Sequence, residues 1–205
     1  MKKLLSFLSF FLLVILGLIY TGCQQTAQQQ TSTEPAKKEM SHADMLSRGR
    51  YLVSAVGCND CHSPKVMTPM GPVPDSTKLL SGYHANPKMP PIDKAALKPG
   101  GWILFTPDLT GAVGPWGMSF SANLTPDSTT GLGAWTEDVF LKTIRTGKHL
   151  GQEGGRPILP PMPWQDFAGL TDEDLKSIFT YLQSLPPVVN KVPAPLTPPD
   201  IEKMK

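Results

Sequence analysis

Cysteine and histidine are both scarce in this chain: three cysteines and four histidines in 205 residues. A structural zinc site wants four Cys or His ligands, and after the one clustered set no second Cys pair or His pair follows. A surplus of one charge is missing too. The 19 Lys and Arg face 17 Asp and Glu with no basic run, which sets nucleic-acid binding aside. No nucleophile sits beside a base and no carboxylate dyad stands out, so side-chain catalysis is not expected. Long apolar runs are confined to one place, Leu4 to Tyr20, directly behind Lys2 and Lys3.

That order, two cations and then an apolar run, is the order of an export signal over residues 1–22. A transmembrane anchor is the alternative, but the run is of marginal length and is followed by a cysteine and a polar tail rather than a cationic stop. The junction "IYTGC" resembles the lipobox of bacterial lipoproteins, which implies a lipid on Cys23, although Tyr20 replaces the usual aliphatic residue. Residues 23–40, rich in Gln and Thr and poor in apolar side chains, then read as a disordered tether. Loss of Lys2 and Lys3 with the signal brings Lys plus Arg from 19 to 17, level with the 17 acidic residues. The expected location is the periplasmic side of a bacterial membrane. Gln24 behind the cysteine, instead of aspartate, leans toward the outer membrane.

The other two cysteines stand in "GCNDCH", residues 57–62. A C-x-x-C pair can be a disulfide or a redox dithiol. The histidine directly behind it points elsewhere: C-x-x-C-H is the attachment signature of c-type haem, in which two sulfurs bond the porphyrin edge and the adjacent imidazole binds iron. Cys58 and Cys61 are therefore the expected attachment sites and His62 the proximal ligand, for one covalent haem c.

An electron-transfer haem needs a sixth ligand. Met67 and Met70 follow His62 too closely to reach the opposite haem face easily, and Met118 lies in the Gly-rich "GPWGMSF". Met89 and Met162 are both flanked by prolines, which stiffen a loop that must hold a sulfur in place. Met162 is preferred because it falls between two legible helices. The first follows Thr136 as N-cap, in TEDVFLKTIRTG, and stops at Gly147. The second has Thr171 as N-cap, Asp174 reaching back, and Leu175, Ile178, Phe179 and Leu182 at helical spacing before Pro186 and Pro187. A third helix, from Ser41 to Gly57, delivers Cys58, with Tyr51, Leu52 and Ala55 as its expected buried face.

With these parts in place the sequence resembles a class I cytochrome c. The stretches "NLTPDSTTGLGAWTEDVFLKTIRTGKH" and "PPMPWQDFAGLTDEDLKSIFTYLQSLPPV" are similar to haem domains in the cytochrome subunits of alcohol and gluconate dehydrogenases. The resemblance implies Met162 as the distal ligand, and Trp135 and Arg145 near the haem propionates, where donors without acceptors suit a carboxylate. It also implies a mainly α, cytochrome c-like helical domain at 41–190. The chain departs from that pattern by a long irregular Pro/Gly-rich insertion at 63–119, expected to cover one haem edge, and a Pro-rich tail at 191–205 follows. Within the insertion "GWILF", Gly101 to Phe105, reads as a short strand. Cytochrome subunits of that kind carry three haem motifs and this chain one.

The expected function is a lipid-anchored monohaem carrier of single electrons between redox partner proteins, not an enzyme by itself. Two alternatives stand beside it: the haem subunit of a dehydrogenase complex, and a haem sensor or peroxidase with an open sixth position.

Overall fold

Capping and periodicity place the helices. The computed structural model describes residues 39–85 and 89–204, so the expected signal and Cys23, and all but the last two residues of the expected tether, lie outside the described residues. Ser41 caps α1 (His42–Ala55), its side chain accepting from the Asp44 amide. Gly57 then turns left-handed at φ 74° and starts the short α2 (Cys58–His62). Thr136 and Thr171 cap α3 (Glu137–Thr146) and α5 (Asp172–Gln183), each accepting an amide hydrogen bond three residues on. Between them lies α4 (Trp164–Phe167), and α6 (Pro198–Glu202) follows near the C-terminus.

The helices pack around one apolar core. Leu52 and Val53 of α1, Phe140 of α3, and Leu175, Ile178, Phe179 and Leu182 of α5 meet with Leu80 and Leu132, and the Phe140 and Phe179 rings lie 5.2 Å apart. The α1 and α5 backbones come into direct contact: a Cβ on Gly49 would collide with the Ser177 carbonyl and stand 2.7 Å from the Tyr181 Cβ. That crossing corrects the expected buried face of α1. Leu52 is buried, but Tyr51 and Ala55 are exposed, and Gly49 and Val53 take their place because the glycine stripe is what fits against α5.

The expectation of a mainly α fold is overturned. Helix, short 3-10 turns included, makes up 35% and strand, isolated bridges included, 13% of the described residues, with six α-helices and two small sheets. The insertion supplies the strands. β1 (Lys65–Thr68) and β2 (Gly71–Pro74) form one antiparallel hairpin, while β3 (Leu104–Phe105), β4 (Gly111–Gly114) and β5 (Gly117–Phe120) form an antiparallel three-stranded sheet. Of "GWILF" only the last two residues are strand. A second core gathers under this sheet: Ala96, Val113, Met118 and Ile201, with Ile201 of α6 fully buried. Leu196 pairs with Met118 through both backbone hydrogen bonds, at 2.8 and 2.9 Å, so the chain beyond residue 191 closes the insertion's core.

The cap of α5 also carries a pH-dependent tie. Asp174 is 7% exposed and accepts from Arg48 Nε of α1 at 2.5 Å. Burial alone would raise its carboxyl pKa, but hydrogen bonds from Arg48 and Thr171 outweigh burial and hold it below the ordinary value. A depressed carboxyl stabilises the fold fully above its unfolded pKa, about 3.9, and loses that contribution as pH falls through its lower folded value. Asp174→Asn should cost about 1–2 kcal/mol at neutral pH and less at pH 2. Urea unfolding at the two pH values measures this, and an equal cost at both would refute the tie.

Candidate haem site

The haem motif forms its own helical turn at the edge of the main core. Cys58 packs against the core cluster, and both Cys58 and Cys61 are free thiols rather than a disulfide. Burial pushes the Cys58 thiol up to about 11 and raises Cys61 as well. Desolvated sulfurs favour neutral thioethers over thiolates, and a zinc ion would require thiolates. Among the described residues no three His, Cys, Asp or Glu come together to hold a metal ion.

His62 is buried, at 9% exposure, and its Nδ1 lies 2.8 Å from the Ala122 carbonyl oxygen. A carbonyl only accepts, so Nδ1 carries the hydrogen and the Nε2 lone pair is left for a metal. Burial pushes the imidazole pKa below its ordinary value, against an opposing pull from Ala122, which keeps the ring neutral and able to ligate. This fits an iron-bound imidazole whose second nitrogen is fixed by a carbonyl. Ala122 was invisible in the sequence, since any residue could supply that oxygen.

The methionines separate by environment. Met118 is 2% exposed in the second core and Met89 packs against the same cluster, while Met67 and Met70 are 76% and 95% exposed on the β1–β2 hairpin. Met162 lines a cleft of about 300 Å³, with Ile158, Pro160, Pro161, Pro163, Trp164 and Gln165 around it. The segment leading into it is tied down twice. Ser119 of β5 donates to the Pro160 carbonyl at 2.6 Å, and the Ile158 amide donates to the Gly147 carbonyl at 2.7 Å. Gly147 is left-handed at φ 65°, and a Cβ there would collide with the Trp164 ring, so this glycine both ends α3 and seats the loop. Ser119, the last residue of the insertion, is a further contribution that sequence reading missed.

Trp135 and Arg145 diverge. Trp135 packs on the main core and meets His149 edge-on at 5.8 Å, and its indole N–H makes no hydrogen bond among the described residues. Arg145 donates to the Ala168 carbonyl and, at 2.5 Å, to Asp172 Oδ1, so it ties the end of α3 to the start of α5. His84 shares a 2.9 Å hydrogen bond with Ser81 through its Nε2.

No family model matches this chain. Its curated relatives include a subunit of the nicotinate dehydrogenase of Pseudomonas putida, 29% identical over 87% of this chain and 12% of that protein. The fructose dehydrogenase cytochrome subunit of Gluconobacter japonicus is 28% identical over 82% of this chain and 26% of its own length. The gluconate 2-dehydrogenase cytochrome c subunit of Pantoea cypripedii is 29% identical over 67% of this chain and 22% of its own. The chain therefore spans between about an eighth and a quarter of these relatives. Over most of its own length, this chain is similar to the cytochrome c subunits of dehydrogenases.

Proposed function

We propose that this chain is a monohaem electron carrier with haem bonded to Cys58 and Cys61, ligated by His62 and Met162, and tethered by a lipid on Cys23. The observation that carries this reading is the buried, neutral His62, held by Ala122 with Nε2 left open, immediately behind two free cysteines. The haem supplies one-electron chemistry when bound. The chain supplies a ligand of fixed tautomer, a proline-stiffened thioether, and apolar packing that keeps water from the ring. Trp135 offers its open indole N–H to a propionate, while Arg145, held by Ala168 and Asp172, keeps N–H groups to spare.

A redox partner is part of the proposal. The fructose and gluconate dehydrogenase cytochrome subunits are named as parts of dehydrogenases, which supports a dehydrogenase as electron donor here. Placement on the periplasmic face of a bacterial membrane, with the outer membrane favoured, rests on the "TGC" junction and Gln24. Optical spectra of the purified protein test the carrier reading. Low-spin iron in both oxidation states, unreactive toward carbon monoxide, is expected. Ready carbon monoxide binding to high-spin iron would favour a sensor or peroxidase instead.

A further inference from the structure

The Lys65 ammonium occupies a socket of backbone oxygens that the carrier reading alone does not call for. It donates to Asn59 O at 3.0 Å, Asp60 O at 2.9 Å and Ser63 O at 2.5 Å, with a longer contact to Asp108 O at 3.4 Å. Three of these carbonyls belong to α2 and its C-terminal cap, where unpaired C=O groups and the negative end of the helix attract a cation. The fourth belongs to the insertion. Lys65 makes no ion pair among the described residues. The nearby Asp108 carboxylate is taken by the Thr106 and Thr110 hydroxyls at 2.7 and 2.8 Å, and Asp60 is exposed. A lysine serving only as a solvated surface charge would not be held by four carbonyls.

We propose that Lys65 is a positioning residue for the proximal side of the haem. It locks the turn carrying Cys61 and His62 to the insertion and sets a fixed positive charge beside it, which favours ferrous over ferric iron and raises the reduction potential. The inference rests on the proposed haem at Cys58, Cys61 and His62. A charge held close at a half-buried position is only partly screened, so its removal should be felt.

Potentiometric titration of the full-length holoprotein tests this. K65M and K65Q, which lose the charge, should shift the ferrous-to-ferric ratio at fixed ambient potential about tenfold toward ferric, ~59 mV for one electron. K65R, which keeps the charge, should recover most of that shift. D60N removes an opposing exposed charge on the same helix without touching the socket, so its potential should rise. Unchanged potentials in folded K65M or K65Q, or a K65R shift as large as theirs, would overturn the inference. Where K65M fails to fold, K65Q, which keeps a hydrogen-bond donor for the carbonyls, carries the test. A wild-type protein with no haem spectrum would instead bring down the carrier reading on which this inference stands.

Discussion

Met162→Ala should abolish the weak far-red absorbance of the oxidised protein and lower the reduction potential by on the order of 0.1 V, part of the ~0.8 V range that axial ligands cover. An axial thioether favours ferrous iron, so its loss stabilises ferric iron. The physical case for Met162 is its loop. Prolines at 160, 161 and 163 restrict the backbone, Ser119 and Gly147 pin the segment leading into it, and Trp164 fills the space beneath. The same change at Met89 should leave band and potential nearly as they were, because that side chain packs against the second core. If Met89→Ala removes the band and Met162→Ala does not, the insertion supplies the ligand. If neither does, His84 or His149 becomes the candidate, and the expected high potential goes with the methionine.

Gly49→Ala should be the most destabilising single-methyl change in the described helices. Its new Cβ would run into the Ser177 carbonyl and crowd Tyr181 Cβ, and backbone on a packed helix cannot step aside as a flexible side chain can. The helices must separate, giving up part of the burial of Leu52, Val53, Leu175 and Ile178. Overpacking of this kind costs about 3 kcal/mol, at the upper end of its usual range. For a domain of this size that corresponds to a midpoint lowered by roughly 10 °C, readable by circular dichroism. A loss under about 1 kcal/mol would mean that α1 and α5 do not cross at Gly49.

The helices that frame the site were legible because each announces itself locally. Thr136 and Thr171 cap where the sequence expected, and Leu175, Ile178, Phe179 and Leu182 all turn inward. The face of α1 was misread because Tyr51 and Ala55 look apolar on a wheel, while the residue that decides the packing is a glycine with no side chain to reveal it. The strands were hidden for a related reason. "GAVG" and "GMSF" are too short and too rich in glycine to show a two-residue period, and β3 has two residues. The second core joins Ala96, Val113, Met118 and Ile201, which no local pattern connects. At the candidate haem site, the residue types proposed to carry chemistry stand out by their spacing. The groups that aim them, the Ala122 and Pro160 carbonyls, are backbone atoms without a sequence signature.

The outcome depends most on whether haem is bonded to this chain. Intact mass of the purified mature protein, taken before and after extraction with acidified acetone, reads that directly. The account predicts the mass of one haem added to the polypeptide and retained through extraction, with the increment lost when Cys58 and Cys61 are both replaced by Ser. Haem that extracts freely, or a polypeptide carrying none, would contradict it.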